Sequence, residues 1–146
     1  MKVLIRPFFK SELSNFFNIS HVTLIKWLKF ELIQEELEQT FYVESQRVLT
    51  IKQCLIIFEH FGYPENIIIP QNEEIYKKAP VFNYYKSDLA RLYKISKESL
   101  NFLISKNNNL RKLLIDKSKR KFYFKEVSDI FNEFGTPYIN KNSLLK

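Results

Sequence analysis

The residues best suited to chemistry in this sequence are cations gathered in its C-terminal half. Residues 74–146 carry 16 Lys and Arg against 7 Asp and Glu, a net charge of +9; residues 1–73 carry 7 against 9, a net charge of −2. Phosphate contacts supply most of the affinity of a protein for nucleic acid, so this asymmetry indicates an anionic partner for the second half. The candidate phosphate contacts are Lys94, Lys97, Lys106, Arg111, Lys112, Lys117, Lys119, Arg120 and Lys121.

Two polar residues, Asn101 and Ser105, project from the helix predicted after Ser96, away from its apolar stripe. They can read base edges, and asparagine suits adenine, but polar residues are equally expected on a solvated helix face. The basic run 117–121 has its own plain interpretation as a solvated turn. Phe102 either packs on the linker or the other half, or touches a thymine methyl group.

Catalytic chemistry has no candidate residues here. His21 and His60 lie in different predicted elements with no Cys or His partner at ligand spacing, which argues against a metal site. The sequence has no Gly-rich phosphate loop and no Ser/His/Asp or Cys/His arrangement. Glu35–Glu38 is interpreted as a solvent face, and Cys54 as a core residue. We therefore predict no enzyme activity, no metal, no cofactor and no small-molecule substrate.

The cations must be positioned by the segment Tyr85–Ile104, which reads as two short helices joined by a tight turn. Ser87 is predicted to cap the first helix and Ser96 the second, because serine oxygens accept from free N–H groups at helix starts. Apolar residues recur at helical spacing within each helix. Since only three residues lie between Leu92 and Ser96, the helices must cross steeply, as in a helix-turn-helix unit.

The same pattern occurs twice in the chain. Phe9–Leu28 aligns with Tyr85–Ile104 at an offset of 76 without a gap, and Lys52–Pro64 aligns with Lys125–Pro137 at an offset of 73. The only two glycines, Gly62 and Gly135, fall on equivalent positions. The sequence therefore predicts a tandem duplication. Copy 1 spans 1–66, a linker 67–83, copy 2 84–140, and a frayed polar tail 141–146.

Each copy is predicted to end in a third helix. Thr50 caps Ile51–Phe61, which Gly62 ends, and Lys125–Phe134 ends at Gly135. Two segments stay open: Phe41–Thr50 is a small hairpin or an extended turn, and Leu110–Phe124 is a helix plus turn or a two-stranded wing. The expected fold class is mainly α, with two tandem helix-turn-helix, winged-helix-like domains.

The residues Arg6–Pro64 and, more weakly, Tyr85–Pro137 resemble a bacterial family of short helix-turn-helix proteins of unknown function. The helix pair is also similar to the excisionase and MerR-type group, through Thr23, Leu24 and Trp27 in copy 1 and Leu89, Ala90, Ser96 and Leu100 in copy 2. The turn glycine of that group is replaced by Asn18 and Lys94. The resemblance implies a fold and no established activity.

The leading functional prediction is a protein that binds double-stranded DNA, as a small transcriptional regulator or an accessory factor of a mobile element. Copy 2 would hold the DNA, while copy 1 packs, self-associates or binds a protein. The alternatives are a protein-interaction or assembly adaptor, for example of phage origin, and RNA binding. A single cysteine and no apolar run of membrane-spanning length predict a cytoplasmic protein without a membrane partner.

Overall fold

A computed structural model gives the structure of the chain and describes residues 2–71 and 75–141. The predicted tail beyond Lys141 and the linker residues Glu73 and Glu74 lie outside the described residues. The helices of the described part are α1 (Lys10–Phe16), α2 (His21–Leu28), α3 (Glu31–Glu38), α4 (Ile51–Phe61), α5 (Lys86–Leu92), α6 (Lys97–Lys106), a 3-10 helix (Arg111–Leu114) and α7 (Phe124–Phe134). Its strands are β1 (Val3–Leu4), β2 (Phe8–Phe9), β3 (Val48–Leu49), β4 (Ile67–Ile68), β5 (Tyr76–Lys78), β6 (Tyr84–Tyr85), β7 (Lys121–Phe122) and β8 (Tyr138–Asn140).

Short strand pairs make the fold mixed, and the mainly α prediction is corrected on this point. β2 pairs antiparallel with β3, and β6 pairs antiparallel with β7. β1 pairs parallel with β4, whereas β5 pairs antiparallel with β8. A strand of two or three residues is too short to show a clear alternating period by itself, so these pairs were not predicted.

The two open segments are resolved by these strands. In copy 1 the segment Phe41–Thr50 is not a hairpin, because β3 pairs with β2 near the N-terminus. In copy 2 the segment Leu110–Phe124 forms a 3-10 helix and a turn, and it is not a two-stranded wing, because its one strand, β7, pairs with β6 outside the segment.

Three helices begin at a serine or threonine cap, and two end at glycine. Ser20, Thr50 and Ser96 accept backbone N–H bonds from Thr23, Gln53 and Ser99 at 3.1, 3.2 and 3.0 Å. Gly62 and Gly135 end α4 and α7 with φ of 98° and 94°, a backbone conformation that favours glycine.

The prediction that Ser87 caps the first helix of copy 2 is wrong. α5 begins at Lys86, directly after β6, and Tyr85 holds the cap position without a side-chain bond. The Lys86 N–H donates to the Arg120 carbonyl at 2.7 Å, so strand pairing fixes this helix start instead of a serine side chain.

The turns inside the two helix pairs have the same backbone form. Asn18 between α1 and α2 has φ of 55°, and Lys94 between α5 and α6 has φ of 61°. These are the positions where the resemblance expects glycine, so the left-handed turn is kept without it. A left-handed lysine carries strain that glycine would not.

Each half closes around aromatic residues of its last helix. Phe58 of α4 and Phe131 and Phe134 of α7 are buried. Phe61 is only half-buried, because it stacks on Trp27 at 4.0 Å between ring centroids near the surface. Cys54 is fully buried in the core, and this burial raises the pKa of its thiol to about 12.

The two halves touch through α4 and α7, which pack against each other. A Cβ at Gly135 would lie only 3.0 Å from the Cβ of Ile51, so the contact is close at the end of α7. The predicted linker contributes β4 to a pair with β1 and β5 to a pair with β8. The division into two domains at 67–83 stays a prediction. No helix among the described residues is both long and apolar enough to cross a bilayer.

Candidate nucleic-acid interface

Cations from three elements of copy 2 meet on one surface. Lys86 begins α5, Lys97 begins α6, and Lys119 precedes β7. Burial lowers the pKa of Lys86, and the positive charges of Lys97 and Lys119 lower it further. The start of α6 and the loop before β7 therefore each carry a positive charge within electrostatic range of Lys86.

The α5–α6 turn adds a fourth cation to this surface. Lys94 is exposed and stands next to the first turn of α6. Lys94 and Lys97 line an open groove of about 470 Å³ that also includes Ser87, Arg91 and, from copy 1, Phe9. The groove thus joins the predicted phosphate contacts to the edge of the other half.

The loop before β7 is held in a defined turn. The Asp116 carboxylate accepts from the Ser118 N–H at 3.0 Å and from its hydroxyl at 2.6 Å, and the Lys119 N–H donates to the Asp116 carbonyl at 3.1 Å. The bonds from Ser118 lower the pKa of the exposed Asp116 carboxyl. Lys117 and Arg120 project from this turn into solvent.

Three predicted contacts on this surface are free of protein partners. Lys97, Lys117 and Arg120 are exposed, and within residues 2–71 and 75–141 they form no ion pair or side-chain hydrogen bond. Binding a phosphate would therefore displace no existing partner at these positions.

Lys119 differs from its neighbours, because it already has a carboxylate partner. Its Nζ lies 3.0 Å from Glu126 Oε1, with both side chains mostly buried, and 4.9 Å from the centre of the Tyr123 ring. Glu126 Oε1 also accepts the Tyr123 N–H at 2.9 Å. Lys119 thus links the loop to the start of α7, a structural role that its position in a basic run concealed.

Copy 1 has an uncharged version of the same arrangement. Gln46 and Gln53 stand at the positions of Lys119 and Glu126 at the offset of 73, and Gln46 Nε2 donates to Gln53 Oε1 at 2.5 Å. Gln53 Oε1 accepts the Thr50 N–H at 2.9 Å, as Glu126 does for Tyr123. Equivalent positions in the two halves therefore hold a bonded pair of side chains, which is uncharged in copy 1 and charged in copy 2.

The outer face of the β6–β7 pair carries aromatic rings together with cations. Partners in an antiparallel pair point to the same face, so Tyr84 and Phe122 are buried together while Tyr85 and Lys121 point outwards. Lys121 Nζ lies 5.4 Å from the centre of the Tyr85 ring. Tyr123 follows two residues after Lys121 in extended backbone and is also exposed. We call Tyr85, Lys121 and Tyr123 the outer strand face.

The predicted base-reading residues of α6 are less available. Asn101 is half-buried, and its Oδ1 is enclosed with no hydrogen-bond partner among the described residues. Ser105 is exposed, but its hydroxyl donates to the Phe102 carbonyl at 2.7 Å. Both base-reading roles stay predictions. Ser105 is the more solvent-exposed of the two residues.

One side of α6 faces copy 1. Ser99, Phe102 and Leu103 line a small cavity of about 90 Å³ whose other wall is Ser45, Arg47 and Val48. Of the alternatives for Phe102, this position corresponds to packing towards the other half.

The remaining predicted contacts lie at the far end of α6. Lys106 ends the helix with its Nζ 5.4 Å from the centre of the Phe102 ring, and Arg111 and Lys112 are exposed on the 3-10 helix. A helix of ten residues extends about 15 Å, so this group is separate from the cluster around Lys97. The structure thus divides the predicted cations into two groups.

Sequence reasoning missed Lys86, Tyr85 and Tyr123. The signal that could have found them is the alternation of Lys119, Lys121 and Tyr123 around the buried Phe122. A period of two in this segment marks one face of a strand.

The equivalent strand face of copy 1 keeps one exposed ring, Phe9 at the position of Tyr85, and is otherwise buried. Gln46, Val48 and Thr50 occupy the positions of Lys119, Lys121 and Tyr123, and all three are buried. Within the described residues there is also no group of three His, Cys, Asp or Glu arranged to hold a metal ion. Comparison of the chain with protein-family models, curated protein sequences and solved structures finds no match in any of the three. The geometry of copy 2 is therefore the basis for inferring a function.

Proposed function

We propose that the chain is a DNA-binding protein in which copy 2 contacts double-stranded DNA, acting as a small transcriptional regulator or a mobile-element accessory factor. In this proposal each helix pair is a helix-turn-helix unit, and the cationic loop and strand pair of copy 2 form its wing. The proposal includes a relation to the bacterial family and the excisionase-type group that the sequence resembles.

The observation that carries this proposal is the open groove at the start of α6, which Arg91, Lys94 and Lys97 line. The positive charges of Lys97 and of Lys119, beside β7, both act on Lys86. Helix-turn-helix proteins contact base edges with residues near the start of their second helix, while flanking cations hold the backbone. Copy 2 brings both kinds of position onto one surface, and its net charge favours phosphate. In copy 1 the positions of Lys86, Lys97 and Lys119 hold Lys10, His21 and Gln46, and of these Lys10 and Gln46 are buried.

Salt dependence tests the proposal directly. Each neutralised phosphate contributes about −0.9 to the slope of log K against log salt, so Lys97→Gln/Lys117→Gln/Arg120→Gln should reduce the magnitude of that slope by roughly 2.7. These three side chains are exposed and unpaired in the described structure, so the protein should keep its stability. The measurement is a titration of labelled duplex at several salt concentrations.

Copy 1 supplies the matched control. Lys2→Gln/Lys26→Gln/Lys52→Gln removes the same three charges from exposed positions of the other half. We expect the slope of log K against log salt for this variant to stay within about 0.9 of the wild-type value, which is the contribution of one phosphate contact. Equal loss in the two variants would mean that net charge alone drives binding, and an unchanged slope in the copy 2 variant would reject the interface.

A protein-binding role for copy 1 is the second candidate. Val22, Phe30 and Leu32 are each more than half exposed around the α2–α3 junction, next to the acidic side chains of α3. Exposed apolar residues grouped in this way mark interaction surfaces. If the chain is an adaptor that does not use DNA, Val22→Ser/Leu32→Ser would abolish partner capture while the wild type shows no salt-dependent duplex binding.

A further inference from the structure

We infer that the outer strand face of copy 2 is a stacking site for the bases of an unpaired DNA strand. This inference rests on the proposal that copy 2 binds DNA, and it adds a second class of ligand to the same surface. It concerns Tyr85 and Tyr123 rather than α6, and none of the predicted phosphate contacts implies it.

The two tyrosine rings are largely exposed. Tyr85 in β6 is 55% exposed and Tyr123, between β7 and α7, is 57% exposed, although each lies beside a buried aromatic residue. Tyr84 and Phe122 anchor the strand pair from below, so the outer rings stand on a fixed base. Rigid aromatic side chains on a strand pair are the usual platform for unpaired bases, because every base has a face that stacks.

The spacing of the rings fits successive bases. Tyr85 is the direct partner of Lys121, and Tyr123 lies two residues further along the same face. Such a diagonal pair is separated by about 7–8 Å between the side-chain origins. That distance leaves room for a separate base on each ring.

Cations lie over and beside both rings, and those without a carboxylate partner are available to phosphates. Lys121 lies over the Tyr85 ring and Lys119 over the Tyr123 ring, at 5.4 and 4.9 Å from the ring centres. Lys117 and Arg120 extend from the adjoining turn without partners in the described structure. Aromatic rings alternating with cations match the stacked bases and charged backbone of a single strand, and a duplex hides its base faces.

Copy 1 shows that the fold does not require this surface. Val48 and Thr50 stand where copy 2 has Lys121 and Tyr123, and both are buried. In copy 1 the outer face of the strand pair therefore carries one exposed ring, Phe9 at 43% at the position of Tyr85, and lacks the second ring and the lysine. A structural role alone does not explain why copy 2 exposes two tyrosines there.

The test compares single-stranded and duplex ligands. Labelled oligo-dT, oligo-U of the same length and a blunt duplex are titrated with the full chain and with Tyr85→Ala/Tyr123→Ala. Stacking accounts for a free energy that corresponds to roughly a 10-fold change per base, so we expect about a 100-fold loss on oligo-dT and less than about a 3-fold loss on duplex. Equal affinity for oligo-U would extend the site to RNA.

Two further variants separate stacking from folding. Tyr85→Phe/Tyr123→Phe keeps the rings and should keep single-strand affinity within about 2-fold, because stacking needs no hydroxyl. Tyr63→Ala removes a similarly exposed tyrosine of copy 1 and should have no effect. Crosslinking of wild-type chain to 5-iodouracil in the single strand should map to Tyr85 or Tyr123.

The outcomes distinguish the two proposals. If duplex binds but oligo-dT does not, or if the alanine variant weakens both ligands equally, the stacking site is rejected and the duplex proposal stands. If oligo-dT binds through the tyrosines and duplex does not, duplex recognition fails and the stacking site stands. A third outcome would assign the face to a second copy of the chain. In that case the molecular mass of the wild-type protein rises with concentration, whereas Tyr85→Ala/Tyr123→Ala stays monomeric and still binds oligo-dT.

Discussion

At the scale of single residues, the pair Lys119–Glu126 separates structural charge from charge that is free for a ligand. In copy 1 the same positions hold Gln46 and Gln53, bonded to each other and to a backbone N–H at the helix start. In copy 2 the ion pair bonds to the equivalent backbone group. Position in a basic run therefore does not identify a phosphate contact, because Lys119 is already paired.

A double-mutant cycle tests this structural role. We expect Lys119→Gln and Glu126→Gln each to lower the free energy of unfolding by about 1 kcal/mol, because each leaves a mostly buried group with a poor partner. The double variant recreates the pair of copy 1 and should be more stable than the sum of the single changes by about 1 kcal/mol. Urea unfolding measures all four proteins.

Lys125 provides the control for that cycle. Its ion pair with Asp129 is exposed, so Lys125→Gln should change stability by less than about 0.5 kcal/mol. Strictly additive single changes at Lys119 and Glu126 would contradict the paired role and return Lys119 to the free phosphate contacts.

The sequence indicates helix starts by local chemistry and cannot indicate such pairs. Ser96 and Thr50 are recognisable caps because their partners lie three residues away. Lys119 and Glu126 are joined across a strand and a helix start, and the enclosed oxygen of Asn101 depends on packing from outside its helix. Contacts of this kind are set by the tertiary fold.

At the scale of elements, the two helix pairs were predictable and the strand pairs were not. Each helix pair has an apolar stripe and a capped second helix, both visible in sequence. The strand pairs differ even between the halves: β1 and β4 are parallel, while β5 and β8 are antiparallel. Whether two strands pair parallel or antiparallel depends on the path of the chain between them. The sequence of a two-residue strand does not indicate this direction.

The α5–α6 turn gives a test of element stability. Lys94 has φ of 61°, where a residue with a Cβ is disfavoured by about 1–2 kcal/mol relative to glycine. We expect Lys94→Gly to be more stable than Lys94→Ala by about 1 kcal/mol, since both variants lose the charge and only glycine relieves the strain. Thermal and urea unfolding compare the two.

Asn18 extends the test to copy 1. Asparagine tolerates the left-handed region, so the advantage of Asn18→Gly over the wild type should be smaller than that of Lys94→Gly. If glycine at position 94 brings no gain over alanine, the turn must relax to another backbone form in solution.

At the scale of the whole molecule, the two halves differ in charge and are joined by a contact between α4 and α7. The charge separates the halves into an acidic-to-neutral copy and a basic one, and that contrast was visible in sequence. The contact between them was not, because α4 and α7 meet through residues that any amphipathic helix would carry. The two glycines give a way to measure this contact, because they share a backbone form and differ in surroundings.

Gly62→Ala and Gly135→Ala form a matched pair. Both glycines have positive φ, so alanine should lower the free energy of unfolding by about 1–3 kcal/mol through backbone strain at either site. A Cβ at Gly62 meets nothing within 4 Å, whereas a Cβ at Gly135 lies 3.0 Å from Ile51 Cβ and 3.1 Å from its Cγ2. We therefore expect Gly135→Ala to cost about 1 kcal/mol more than Gly62→Ala.

The residue that causes the additional loss lies on α4, in the other half of the chain. Ile51→Ala removes Cγ2 and should reduce the excess, so Gly135→Ala/Ile51→Ala should be more stable than the sum of its single changes. Gly62→Ala/Ile51→Ala should be additive, because Gly62 has no such neighbour. Equal losses at the two glycines, with no coupling to Ile51, would mean that α4 and α7 separate in solution and that the halves behave as independent domains.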